Sequence, residues 1–184
     1  MPSVPKAACR LLKPTGIWGL IRIRAVFTEC LERYILPLSS QTPFGFMPFG
    51  IYTKAASEKD VYRPWRDGFL FRFFMPEHHS QKINHGLAGH WTSWAHGLAL
   101  LAEVLNDSRA RDLAWQQLYW LTGQNLHNSC QISGLGYNNP MPHSRLLGTH
   151  PGGFFIGFIG TADDRPHVDL QGDAQWNSTE YWMT

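Results

Sequence analysis

Apolar residues recur at helical spacing in three stretches of this chain, and they set its expected framework. Leu20, Ile23, Phe27, Leu31 and Tyr34 fall three or four apart, one face of a helix that Pro37 is expected to stop. The clearest pattern is Ile83, Leu87, Trp91, Trp94, Leu98, Leu101 and Leu105, which predicts a helix over Ile83–Leu105 with one buried face. Asn106-Asp107-Ser108 offers a turn and a cap. Leu113, Ala114, Leu118 and Leu121 then mark a second helix over Arg109–Thr122, with Gly123 as its natural stop. Each apolar face needs a partner, so these two helices read as an antiparallel αα-hairpin.

Residues 37–80 show no such period. Pro43, Gly45, Pro48, Gly50, Pro64, Gly68 and Pro76 punctuate many aromatics, which reads as a long ordered loop with room for a hairpin around Phe69–Phe74. From Gly123 onward the chain is again rich in Gly, Asn, Pro, His and aromatics, and a loop of this kind more often carries function than packing. A last helix is expected to begin at Glu180. The order is thus helix, long loop, two helices, long loop, start of a helix. It predicts an all-α fold, a partial toroid of helical hairpins with its long functional loops on one face. A four-helix bundle, with its short connections, fits less well. The whole of 1–184 reads as a single domain that stops as its last element begins.

Composition narrows the function. Hydrophobic residues make up 43% of the 184 and charged residues 16%, which excludes disorder. A net charge of +2 is too small for a nucleic-acid footprint. No stretch approaches the roughly 20 apolar residues that span a bilayer, so no membrane partner is expected. Lys6, Arg10 and Lys13 before Gly16–Ile21 superficially suggest a signal peptide, but Arg22 and Arg24 interrupt the apolar run and an amphipathic helix is the preferred reading. Cys9, Cys30 and Cys130 form neither a zinc pattern nor a disulfide framework, and Cys130 is expected to be buried.

Candidate chemistry lies mainly in the last third. Glu180 sits among Trp176, Tyr181 and Trp182, a setting that would raise a carboxyl pKa as a general acid requires, or else it is a solvated helix residue. His143 and Arg145 are two apart, so on an extended backbone both point one way and could hold sugar hydroxyls, or else stabilise their own loop. Asp163, Asp164, Asp169 and Asp173 could bind calcium but lack the EF-hand order; a surface turn with Asp164 pairing Arg165 is the preferred reading, and Asp163 and Asp164 are also candidates for a pocket charge. His78, His79, His85, His90 and His96 do not share the i, i+4 spacing of a zinc helix. A pocket-facing His85 or His90 beside Trp91 and Trp94 fits them better. No cofactor is expected.

Gly123-x-Asn125-x-x-x-Ser129, Gly134-x-Gly136-x-Asn138, Pro142-His143-x-Arg145 and Trp176-x-x-x-Glu180 stand in an order and approximate spacing that resembles the C-terminal part of glycoside hydrolase family 9. The resemblance covers residues 82–182. It implies a cellulase-like enzyme of the (α/α)6 barrel type, which hydrolyses β-1,4-glucan with inversion. Glu180 then matches the general acid and His143 and Arg145 the substrate-binding pair, with Tyr137 and Trp176 as further substrate contacts. An extracellular or periplasmic location is also implied. The family's Asp-rich base motif has no counterpart here, since Asp67 stands alone, so the chain is expected to carry the acid and substrate-binding portion of an incomplete catalytic domain. The alternatives are a carbohydrate-binding remnant without catalysis and another α-toroid, such as a cyclase or prenyltransferase.

Overall fold

The computed structural model describes residues 16–78, 86–141, 150–168, 170 and 181–183. Helix α1 runs Gly16–Cys30, widens into a π-helical turn at Leu31–Ile35 and ends in a last α turn, Leu36–Ser39. Pro37 therefore does not stop it at once. It sits in the opening turn of the last segment, where a missing N–H has the least consequence. The wider turn also rotates the buried face. Leu31, Ile35 and Leu38 point inward, while Phe27 and Tyr34, expected on that face, are 37% and 41% exposed.

The hairpin is present. Helix α2 (Ala88–Leu105) and helix α3 (Ser108–Thr122) make the most extensive contact between elements. Asn106 turns the chain in the left-handed region, Asp107 caps α3 by accepting from the Arg109 amide at 2.9 Å, and Gly123 ends it at a φ of +126°. Arg24 of α1 donates to the carbonyls of Val104 and Leu105 at 2.7 and 3.1 Å, covering the C-terminal end of α2. The start of α2 differs from expectation. Gly86 and Leu87 stand outside the helix because the Leu87 amide donates to Phe158 and the Ala88 amide to Ile156.

The fold is mixed, and the all-α toroid expectation is overturned. β1 (Gly50–Tyr52), β2 (Arg63–Pro64) and β3 (Leu70–Arg72) form an antiparallel sheet in the order β1-β3-β2, within the stretch expected to be loop. Beyond the hairpin, β4 (Phe154–Phe155) pairs with β7 (Tyr181–Met183), and β5 (Ile159–Gly160) with β6 (Pro166–His167). Tyr181–Met183, expected to lie in a helix opening at Glu180, is strand. These strands are two or three residues long. Alternation cannot register over so few positions, and their pairing partners rather than their own pattern hold them extended.

The core lies where the irregular chain meets the hairpin. Phe46, carried on the loop before β1, packs against Trp120 at 4.2 Å between centroids and against Phe73 at 5.0 Å, and Phe158 meets Trp120 at 5.4 Å. Gln117, fully buried on α3, donates to the Gly45 carbonyl and accepts from the Met47 amide, so the Phe46 loop is held from both sides.

A buried ionic cluster joins the three-stranded sheet to the β5–β6 hairpin. The Arg72 side chain has no exposure and donates to the carbonyls of Val61, Ala162, Thr161 and Phe74 at 2.6 to 3.2 Å. Carboxylates of Asp164 and Asp60 lie 3.7 and 3.9 Å from it. Asp164 accepts from the amides of Phe73 and Phe74, each at 3.0 Å, and from half-exposed Arg63 at 3.0 Å. Asp60 accepts from the amides of Glu77 and His78. Burial pushes the Asp164 carboxyl above its ordinary value, against the pull of the Phe74 amide, Arg63, the Phe73 amide and the Arg72 charge.

Replacing Asp164 by Ala takes a counter-charge from buried Arg72 and leaves two buried amides and Arg63 without their acceptor, so it is expected to cost about 3–5 kcal/mol in urea unfolding. Arg63→Ala removes only a half-exposed partner and is expected to cost about 1 kcal/mol or less. A second pair of variants tests the packing of β5. A Cβ on Gly160 would collide with the Met75 carbonyl and come within 2.8 Å of Phe74 Cβ, whereas one on Gly97, exposed on α2, meets nothing within 4 Å. Gly160→Ala is expected to destabilise by about 1–3 kcal/mol, and Gly97→Ala to stabilise by about 0.5–1 kcal/mol. Thermal melts of the two variants check the opposite signs.

Candidate functional site

Gly123 breaks α3, and the chain beyond it to Met141 makes a loop built almost wholly by polar side chains. Asn125 is buried and its amide works in both directions: Oδ1 accepts from the His127 and Ser129 amides, each at 3.1 Å, and Nδ2 donates to the Trp120 and Ser129 carbonyls at 2.7 and 2.8 Å. Ser129 continues the network by donating to the Asn138 carbonyl at 2.6 Å, and its oxygen accepts from Gln131 at 2.8 Å. Asn138 returns a bond to the His127 carbonyl at 3.2 Å, so segments 126–130 and 134–139 lie side by side.

Asn139 closes the structure. Its Oδ1 accepts from the Gly134 amide at 3.1 Å, and its Nδ2 lies 2.8 to 2.9 Å from the carbonyls of Cys130, Ile132 and Leu135. Gly136 is required between them: its φ is +61°, and a Cβ there would lie 2.8 Å from Cys130 Cβ. Cys130 is buried, as expected. Asn125, Ser129, Gly136 and Asn138 of the two loop motifs thus hold the backbone. Asn139 was not singled out from the sequence, where only its place in an Asn-Asn-Pro run marks it.

The loop carries exposed apolar side chains on this fixed frame. Tyr137 is 76% exposed, although its carbonyl is pinned by the Cys130 amide at 2.9 Å. Leu126, Leu135 and Met141 are likewise exposed. Of the residues expected in a site, Tyr137 is placed on this projecting loop, while His143, Arg145, Trp176 and Glu180 lie outside the described residues. The segments flanking them are anchored together. Phe154 of β4 pairs with Met183 of β7 and also bridges Ile132 of the loop, and the Phe155 amide donates to the Gln131 carbonyl at 2.9 Å.

The other chemical candidates are accounted for differently from expectation. Asp164 does not pair Arg165 in a surface turn. Asp163 does, at 2.8 Å, while Asp164 turns inward to Arg72 and Arg63 because its φ of +61° redirects the chain. Asp163 is exposed, and its hydrogen bond from Thr161 and the Arg165 charge hold its carboxyl below the ordinary range. Asp169 and Asp173 lie outside the described residues, as do His79 and His85. His78 reaches Asp60 and His96 is exposed, and among the described residues no group of three His, Cys, Asp or Glu is placed to hold a metal. His90 is half-buried against Pro48 and Trp94. An open groove of about 370 Å³ does occur where α1 ends beside α3, lined by residues including Ser40, Thr42, Arg109, Asp112 and Gln116, but Tyr137 takes no part in it. No described helix is long and apolar enough to cross a membrane.

No protein-family model matches the chain, and no curated protein matches it either.

The loop's architecture makes a separable prediction. Asn139→Ala leaves three carbonyls and an amide without this partner, and is expected to lower stability by about 1–3 kcal/mol and to speed amide exchange at Gly134. Tyr137→Ala removes a ring already in water and is expected to stay within about 0.5 kcal/mol of the parent. Hydrogen exchange read alongside urea unfolding distinguishes the two.

Proposed function

We propose that this chain carries the sugar-binding and acid portion of a cellulase-like glycosidase that acts on β-1,4-linked glucan with inversion. The observation that carries this reading is that chain flanking two of the motifs meets on one strand. Ile132, in the loop that leads to Pro142-His143-x-Arg145, and Met183, three residues beyond Glu180, both pair with Phe154. A binding pair and an acid must address the same glycosidic bond, so anchoring their flanking segments on β4 is what such a site needs. The rigid loop and its projecting Tyr137 supply a ring that can lie against the apolar face of a pyranose. The reading rests on these motifs and this loop and draws nothing from a toroid.

In this mechanism Glu180 donates its proton to the leaving glycosidic oxygen, and Trp176, Tyr181 and Trp182, its neighbours in the sequence, are residue types that can supply the poor solvation that keeps a carboxyl protonated. His143 and Arg145 hydrogen-bond sugar hydroxyls, and Tyr137 and Trp176 stack on sugar rings. Inversion further requires a carboxylate that activates water on the opposite face. A second reading, carbohydrate binding without turnover, is favoured by one observation: Asp164, one of the two candidates for a pocket charge, is committed to Arg72, Arg63 and two backbone amides.

Titration of the 184-residue chain with cellohexaose, followed by calorimetry, is expected to show saturable binding with little hydrolysis. His143→Ala and Arg145→Ala should weaken binding about tenfold or more, and Glu180→Gln should leave it nearly intact. Where turnover is measurable, Glu180→Gln should lower it by about 10²–10⁴-fold, less for activated aryl glycosides, which need little protonation. Absence of binding, or binding indifferent to His143 and Arg145, sinks the reading. Turnover that survives Glu180→Gln removes Glu180 as the acid.

A further inference from the structure

The loop that carries Phe46 is tied to the hairpin by three side chains. Gln117 holds Gly45 and Met47, and Trp91 donates its indole N–H to the Met47 carbonyl at 3.2 Å. The third tie is His90, whose Nε2 lies 3.1 Å from the Pro48 carbonyl. That same nitrogen lies 3.0 Å from Nε1 of Trp94, one turn further along α2. An indole N–H only donates and a carbonyl only accepts, whereas an imidazole nitrogen carries either a lone pair or a proton. Nε2 can therefore satisfy one of these neighbours at a time.

We propose that His90 is a proton-operated latch that exchanges its bond to Trp94 for a bond to Pro48. In the neutral ring with its proton on Nδ1, Nε2 accepts the Trp94 hydrogen. A proton taken from solvent onto Nε2 makes the ring an imidazolium. Its Nε2–H donates to the Pro48 carbonyl in a charge-assisted bond, and the Trp94 bond breaks. Acid thus tightens the Phe46 loop on α2 while releasing an indole on the next turn. The Pro48 carbonyl and Phe49 ring on the loop side and the Trp94 indole on α2 meet the ring, and none of them is charged or titrates near neutrality.

Burial holds the imidazole below its ordinary value of 6.5, with the Pro48 carbonyl pulling the other way. The sign follows: the folded state favours the neutral ring, so this contribution to stability is complete above the unfolded value and is lost as pH falls through the folded one. The latch therefore operates in mildly acidic solution.

The test is ¹⁵N NMR of the full chain, reading the His90 ring nitrogens and the Trp94 indole proton from about pH 8 to about pH 4.5. The expected result is an unprotonated Nε2 at the alkaline end, with the Trp94 resonance moving together with His90 and a midpoint below 6.5. Trp94→Phe removes the donor that favours the neutral ring and should raise the His90 midpoint by roughly half a unit or more. His90→Gln presents an oxygen to Trp94 and an N–H to Pro48 at once, and should leave the Trp94 resonance without this titration. A proton found on Nε2 at about pH 8, a Trp94 signal that ignores His90, or a midpoint that Trp94→Phe leaves unmoved or lowers would each overturn the latch.

Discussion

A guanidinium that no water reaches dictates how the irregular half of this molecule folds. Burying Arg72 costs several kcal/mol in lost hydration, and that cost is offset by the acceptors its donors find. The chain meets the demand by wrapping around it: Val61 on one side of the sheet, Phe74 after β3, and Thr161 and Ala162 from a hairpin some ninety residues away. Asp164 and Asp60 neutralise the charge and spend their remaining lone pairs on backbone amides. Short strands that would be marginal alone are thereby fixed to one another.

The same logic, with amides in place of charges, builds the loop after α3. A regular element satisfies backbone groups through its own ladder; this loop satisfies them through Asn125, Ser129, Asn138 and Asn139. Such side chains fix a backbone without covering it, so Tyr137 is left projecting from a frame that does not need the ring for its stability. That combination of order and exposure is what a sugar-binding surface needs, because a ring carried on a fixed backbone has only side-chain freedom to lose when a ligand stacks on it. Asn125, Ser129 and Asn138 of the two loop motifs thus serve the backbone.

The β4 strand gives the proposed site its economy of construction. Two residues long, it receives the loop at Ile132 and the end of the described chain at Met183. The Leu87 and Ala88 amides reach the segment just after it, which ties the start of α2 to the same point. The start of the hairpin and the loop thus meet at one junction.

The sequence by itself determined the hairpin. Trp91 and Leu98 stand two turns apart on one face, Asp107 caps, Gly123 stops, and each of these signals is local, acting within a few residues along the chain. It also marked out the loop residues by their order, although not the work they do. It did not determine the sheets, the inward turn of Asp164 or the buried roles of Arg72 and Gln117, and it misjudged the class of the fold. Two-residue strands have no period to read. A charged residue reads as exposed until its partners arrive, and for Arg72 those partners come from Asp60 and Asp164, on opposite sides of the hairpin in the sequence. Only tertiary structure brings them together, because the free energy that makes a buried charge tolerable resides in contacts between distant segments.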